Sequence, residues 1–241
     1  MVTPSTKQLF IVAIDGPSGA GKSTVGRALA KRLGYTYIDT GAMYRAVALA
    51  ARERAVDRED EKNLTHLALS LHIAFSIHQG EPRVLCDGED VTEAIRSPEI
   101  SLLASDISKR HGVREALVQK QRELGEGGGV VLEGRDIGTV VFPNAEVKFY
   151  LDAKPEERAK RRFEELTRKQ ANVGWRETLD EVVQRDKNDM TRSISPLRKA
   201  EDAVFIDSTG RPVEDIVEEM AGMVAQRAVK AGHPEEKPRV G

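Results

Sequence analysis

The run Leu9–Ile14 (LFIVAI) is continuously apolar and rich in β-branched residues, and Asp15, Gly16 and Pro17 end it at once. Such a run predicts a strand buried on both faces, as in a parallel sheet. From Gly21 the period lengthens. Val25, Leu29 and Leu33 share one helical face, Arg27, Lys31 and Arg32 lie elsewhere, and Gly34 stops the helix. A second short strand, Tyr35–Ile38, ends at Asp39, and a helix over Ala42–Arg54 turns Ala46, Val47, Leu49 and Ala50 inward. This β-α-β-α opening predicts a parallel sheet with crossover helices.

From about Leu71 the pattern changes again. His72–Ile77 alternates, Gln79-Gly80-Glu81-Pro82 reads as a turn, and Arg83–Cys86 alternates before Asp87-Gly88. Those are hairpin signals, so a small antiparallel element is expected as an insertion over residues 70–97. Helices follow at about Pro98–Lys109 and Val113–Gly125, and the parallel pattern resumes with strands at Val130–Leu132 and Val147–Leu151. Two charged helices, Pro155–Gln170 and Trp175–Met190, precede a last strand, Ala203–Ile206, and a last helix, Val213–Ala228. The core is thus assigned to residues 1–69, 98–154 and 173–231, and the Pro, Glu, Lys and Gly-rich end, 232–241, is expected to be disordered.

Charge excludes more than it suggests. Thirty-seven Lys and Arg against 39 Asp and Glu in 241 residues leave a formal net charge of −2. A general nucleic-acid binder needs surplus cations, and this chain has none to spare. At 39% hydrophobic residues the chain can bury a sizeable core, and its length fits one α/β unit carrying a smaller insertion. The one cysteine, Cys86, leaves no internal disulfide and points to a reducing, cytoplasmic compartment. Met1–Leu9 is too short and polar for a signal peptide, and no membrane span is expected. Even charge and a short insertion favour a monomer. Arg outnumbers Lys by 23 to 14, which suits phosphate sites as well as an exposed surface.

The chemistry begins where the first strand ends. Gly16, Pro17, Ser18, Gly19, Ala20, Gly21, Lys22 and Ser23 match G-x-x-x-x-G-K-[ST], with a buried strand before and an amphipathic helix after. Glycines let successive N–H groups point at phosphate oxygens, and the helix start adds its positive dipole end. Lys22 can reach the β- and γ-phosphates, Ser23 can hold Mg²⁺ through ATP, and Thr24 can bond an α-phosphate oxygen. The loop leaves the reaction open. A GTPase needs an N-K-x-D base reader, whereas Asp186-Lys187-Asn188-Asp189 lacks the leading Asn and lies in a charged helix. A motor ATPase would bring a larger chain, so size favours a kinase of a small substrate.

Bringing an anionic acceptor up to a triphosphate requires cations between them. Asp39-Thr40-Gly41-Ala42-Met43-Tyr44-Arg45 and Glu133-Gly134-Arg135-Asp136 fall at the carboxyl ends of predicted strands, where open α/β sheets bind ligands. That placement sets Arg45 and Arg135 beside the phosphate loop, in preference to the plainer reading of arginines on a solvated helix face.

The strings IDGPSGAGKST, IDTGAMYR, EGRDIGTVVFP and RDKNDMTRSISPL, in that order and with an antiparallel insertion after the second, resemble bacterial cytidylate kinases from about Ile11 to Ile216. The resemblance implies a P-loop, adenylate-kinase-like three-layer core with a parallel sheet, a monophosphate-binding insertion and an arginine-bearing helical lid at 155–172. It implies transfer of the γ-phosphate of ATP, with Mg²⁺, to CMP or dCMP. On this resemblance Arg45, Arg135 and Arg192 hold the monophosphate, and Ser105, Arg114 and Asp136 read the cytosine edge. Arg185 and Asp189 contact the sugar, Thr40 and Tyr44 join the CMP site, and Lys22, Arg135, Arg185 and Arg192 form the catalytic cation set. Thr40 stands where many relatives have Ser. Arg158 and Arg162, with Arg161 within reach, are expected to close on the ATP phosphates, against the plainer alternative of ion pairs with Glu157, Glu164 and Glu165. No catalytic base is assigned; Asp39 and Asp136 are expected to organise Mg²⁺-bound water or the arginines.

Other signals read as structural. Cys86 sits in a hairpin, the five histidines lack metal-ligand spacing, Trp175 packs at a helix start, and Glu123–Gly129 (ELGEGGG) is a loop in the wrong order for a phosphate site. Two competing functions remain: a kinase of another small acceptor such as UMP, AMP or a hydroxy acid, and a nucleotide-switched interaction protein.

Overall fold

The computed structural model describes residues 9–79, 81–168 and 173–232. In chain order, β1 (Ile11–Asp15), α1 (Lys22–Leu33), β2 (Thr36–Asp39) and α2 (Thr40–Glu53) form the predicted opening. Next come α3 (Glu61–Ser70), β3 (Ile73–His78), β4 (Glu81–Cys86), β5 (Glu89–Asp90), α4 (Pro98–Ile107) and α5 (His111–Gly125). The chain then continues through β6 (Val130–Gly134), β7 (Val147–Asp152), α6 (Pro155–Arg168), α7 (Trp175–Thr191), β8 (Val204–Asp207) and α8 (Val213–Gly232).

Five strands form one parallel sheet in the order β2-β6-β1-β7-β8. Every carboxyl end therefore points the same way. Alternation along β1 divides the two faces: Val12 and Ile14 pack with Val25 and Leu29 of α1 and Ile216 and Met220 of α8, while Ala13 packs with Ile38, Leu132, Ile137 and Val141. Helix α2 anchors a further cluster with Leu64 and Leu67 of α3, Ile100 and Ile107 of α4 and Val113 and Leu117 of α5. This is a three-layer α/β fold, and the antiparallel insertion is a separate small sheet, β3-β4-β5.

Three expectations are corrected. Helix α3 went unread because Leu64, Leu67 and Ala68 make one short buried stripe among polar residues; its start is nevertheless written in Asp60, whose carboxylate caps the Asn63 N–H. The turn expected over Gln79–Pro82 is shorter, since Glu81 and Pro82 belong to β4. Pro82 pairs with Ile77, beyond the reach of β5, which joins β4 only at Leu85 and Cys86. A missing N–H costs nothing on that free edge. Finally, Gly232 closes α8 rather than opening a tail; the rest of the expected tail, 233–241, and the lid residues 169–172 lie outside the described residues. Among the described residues no helix is long and apolar enough to cross a membrane.

Candidate active site

The phosphate loop leaves β1 at Gly16, whose φ of +152° is open chiefly to glycine. The approach to the sheet is as strict: a Cβ there would lie 1.9 Å from the Leu151 carbonyl oxygen. Side chains from α6 and from the segment after β8 hold the loop's carbonyls. Ser18 O accepts from Arg158 Nη1 at 3.1 Å, and Ala20 O accepts from Ser208 Oγ at 2.9 Å and Arg161 Nη1 at 3.4 Å. In a trans peptide the N–H opposes its carbonyl, so the amides of Gly19 and Gly21 face the other way, into the concavity that an anion would fill. Lys22 is buried and donates to Pro17 O at 2.7 Å. Burial, then the neighbouring Arg135, lower its ammonium to about 7 against the opposing pull of Glu133 and Asp189.

Carboxylates line the same edge. Glu133, next to last in β6, is buried and accepts a short hydrogen bond from the Tyr37 hydroxyl. The Ser23 hydroxyl is within hydrogen-bonding reach of both partners. Burial, followed by Asp39, raises the Glu133 carboxyl. Asp15, the last residue of β1, is buried as well and accepts from the Ile137 and Gly138 N–H groups at 2.8 and 2.7 Å. Sequence reasoning gave Asp15, Glu133, Tyr37 and Ser208 no role. The available signal was an acid ending each buried strand beside the phosphate loop. Among the described residues no three His, Cys, Asp or Glu side chains gather as a metal-ligand group. The Ser23 hydroxyl backed by Glu133 suits a hard cation held mainly by phosphate oxygens.

The arginines expected on the acceptor side converge, and three of them donate to a carboxylate. Arg45 donates to Asp39 at 2.7 Å, and Asp39 also caps the N–H of Ala42 at the start of α2. Arg135 donates to Asp189 of α7 at 2.8 Å. Arg114 makes a short buried ion pair with Asp136, donates to Ser108 O at 3.3 Å, and lies with its guanidinium carbon 5.5 Å from the centre of the Tyr44 ring. Arg192 donates to Ser195 O at 2.6 Å and faces Asp136 at 3.9 Å. Burial, then Arg135, push the Arg185 guanidinium down to about 10. Arg45 Nε, Arg114 Nε and Arg192 Nη2 are buried without a hydrogen-bond partner among the described residues, which fits an anion between them. Ser105 sits on α4, its carbonyl accepting from Ser108 Oγ. Thr40 donates to the Glu133 carbonyl at 2.7 Å, so its hydroxyl ties α2 to β6 rather than pointing free into the site.

The lid arginines differ most from expectation. Arg158 is 4% exposed and bound on all sides: Nε to Ala153 O at 2.9 Å, Nη1 to Ser18 O, and Nη2 to Asp186 of α7 at 2.6 Å. It does not share an open face with Arg162, which pairs with Glu165 at 3.1 Å as the plainer alternative had it. Arg161 also lies beside the loop, 3.5 Å from where a Cβ on Gly21 would stand, and it donates to Ser208 O at 2.7 Å while pairing with Glu157 at 3.3 Å. The Arg158 side chain points inward because β7 delivers α6 directly behind the phosphate loop.

Residues 12–226 match the family model described as cytidylate kinase. The chain belongs to the cytidylate kinase family. It is 54% identical over 218 residues to the cytidylate kinase of Syntrophotalea carbinolica, covering 90% of this chain and 93% of that one. It is 53% identical over 217 residues to that of Citrifermentans bemidjiense, with the same two shares. Among solved structures, a shikimate kinase from Acinetobacter baumannii gives a TM-score of 0.45 at 17% identity over 91% of this chain and 95% of that one. As a cytidylate kinase family member the chain binds nucleotide substrates, and the phosphate loop and the arginine cluster at one sheet edge are where its geometry can receive them.

Proposed function

We propose that the chain transfers the γ-phosphate of ATP to CMP or dCMP, with the phosphate loop as donor site and the arginine cluster as acceptor site. The observation that carries this reading is the meeting of the two loops. Arg135 follows the end of β6, which pairs along its length with β1 ahead of the phosphate loop, and it is itself fixed to Asp189 at 2.8 Å. A cation so placed faces both phosphates at once.

In this reading an acceptor phosphate oxygen attacks the γ-phosphorus, the bond to the β–γ bridging oxygen breaks, and ADP leaves with the bond electrons. A phosphate monoester carries a second pKa near about 6, so the attacking oxygen is already ionised at pH 7 and no protein base is needed. The work left to the chain is alignment and neutralisation. Lys22 lies between the two phosphates. Arg45, Arg135 and Arg192 hold the acceptor phosphate, Ser105, Arg114 and Asp136 take the cytosine edge with Tyr44 behind, and Arg185 and Asp189 meet the sugar. Mg²⁺ brought in with ATP would supply charge neutralisation, and the Ser23 hydroxyl is the group of this chain that would hold it. Residues 70–97 serve as the acceptor insertion. Segment 155–172 serves as the lid, rooted to the phosphate loop through Arg158 and Arg161, and its closure keeps water from the γ-phosphate.

A coupled ADP-release assay with CMP, dCMP, UMP, AMP and shikimate as acceptors tests this reading. Fast turnover is expected with CMP and dCMP; comparable rates on AMP would sink it.

A further inference from the structure

The loop that carries Arg135 and Asp136 does not stand alone. It runs from β6 into a single π turn, Ile137–Val141, in which the Val140 and Val141 N–H groups bond back to Asp136 O. The first N–H groups of such a turn have no partner within it. Here one side chain serves both. Asp15 Oδ1 accepts from Ile137 at 2.8 Å and Oδ2 from Gly138 at 2.7 Å, across 122 and 123 residues of sequence.

The position of Asp15 makes this more than a cap. Its main chain lies between Gly134 of β6 and Tyr150 of β7, and the next residue, Gly16, starts the phosphate loop. One residue therefore continues into the donor loop by its backbone and grips the acceptor loop by its carboxylate. The fit is close on the far side too. A Cβ on Gly138 would meet Lys148 Cδ at 3.0 Å and Asp15 Oδ2 at 3.4 Å, and Lys148 is held in turn by Pro143 O and by Asp202 at 2.8 Å.

We infer that Asp15 is a positioning residue of the transfer reaction, setting Arg135 and Asp136 relative to the phosphate loop so that acceptor and donor phosphates meet in line. This rests on the acceptor site proposed above. The carboxylate is suited to the task because it offers two acceptors in one plane, matching two successive N–H donors. Burial raises its carboxyl to about 6, with the two N–H bonds opposing the rise, so at pH 7.5 it remains ionised and able to accept both.

Asp15→Asn keeps the shape and turns one acceptor into a donor facing an N–H. Steady-state rates at pH 7.5, with CMP and ATP varied in turn and the active fraction counted by binding of a non-hydrolysable ATP analogue, should show kcat/KM for CMP down by about 30- to 100-fold with KM for ATP changed less than about threefold. Gly138→Ala leaves Asp15 intact but crowds Lys148 Cδ at 3.0 Å, shifting the loop slightly against its anchor, and should give a smaller loss on the same acceptor side; it decides the matter if Asp15→Asn does not fold. A purely structural role predicts a lower active fraction with unchanged constants for the molecules that remain, and that result in either folded variant overturns the inference. Calorimetric titration with CMP separates the two layers: a wild-type chain that fails to bind CMP overturns the acceptor site and this role with it. A wild-type chain that binds CMP beside variants with unaltered kcat/KM overturns the role of Asp15 alone.

Discussion

Replacing Gly16 by Ala places a methyl carbon 1.9 Å from the Leu151 carbonyl oxygen, where real Cβ atoms essentially never come within 3.0 Å. Leu151 lies within β7, bonded to β1 on one side and β8 on the other, so the sheet has little freedom to retreat. The loop must move instead, by about 1 Å, and a displacement of that size at a reacting centre costs on the order of 10²-fold in rate. Stability falls as well. Overpacking contributes about 1–3 kcal/mol and the disfavoured φ about 1–3 more, against a total of about 5–15 for an ordinary domain. Urea denaturation and initial rates at saturating ATP and CMP measure the two losses. Gly34→Ala is the matched control: its φ is +71° and nothing stands within 4 Å of the new methyl. It should lose about 1–2 kcal/mol with turnover unchanged. If Gly16→Ala behaved like Gly34→Ala in both assays, the close packing of the phosphate loop on β7 would be refuted as the reason for glycine there.

Three further outcomes follow from the same geometry. Arg135→Ala should cut kcat/KM for CMP by about 10²–10³-fold while ATP affinity stays nearly intact; unchanged turnover would remove the arginine from the site. Arg158→Ala should destabilise the chain by about 3–5 kcal/mol in chemical denaturation, because it strands the buried Asp186 carboxylate; a change below about 1 kcal/mol with slower turnover would restore Arg158 as a phosphate arm. Lys22, lowered to about 7, is mostly neutral at pH 8 and regains its charge beside the phosphates. ATP binding at pH 8 should therefore take up about one proton, read by calorimetry in buffers of different ionisation enthalpy, and zero uptake would contradict the lowered value.

What the sequence disclosed depended on range. Patterns written in neighbouring residues carried over well: Leu29 and Val25 did face the core, Gly34 did stop α1 in the left-handed region, and the alternation around Phe75 and Val84 did make an antiparallel pair. The phosphate loop belonged to this class, being eight consecutive residues between two periodic elements. The contacts that assemble the site did not. Arg158 reaches Ser18 across 140 residues and Asp15 reaches Ile137 across 122, and helical spacing says nothing about either. Spacing even misled at α6. It put Arg158 and Arg162 on one face, which is true of the helix, but only the approach of β7 behind the loop decides that Arg158 points into protein while Arg161 meets the loop's edge. Glu133 and Asp15 were visible as acids closing buried strands, yet their partners are a tyrosine on β2 and two amides beyond β6, fixed by sheet order alone.

Sheet order also gives the near-zero net charge a local meaning. In the proposed acceptor site three arginines are paired, Arg45 with Asp39, Arg135 with Asp189 and Arg114 with Asp136, while Arg185 and Arg192 leave a local cationic surplus that the whole-chain balance conceals. A lysine so paired would have its single compact charge turned to the carboxylate. A guanidinium has five donors in a rigid fork, so one edge can be steadied by a carboxylate while another remains for phosphate. Arg45 Nε and Arg192 Nη2 are such remaining donors, buried and without a hydrogen-bond partner among the described residues. Arginine is thus needed where a cation must be rigid before the anion arrives, and the surplus of 23 Arg over 14 Lys has part of its physical cause there. By the same reasoning Arg135→Lys is not conservative: it keeps the charge but cannot hold Asp189 and an acceptor phosphate together, and it should lose most of what Arg135→Ala loses.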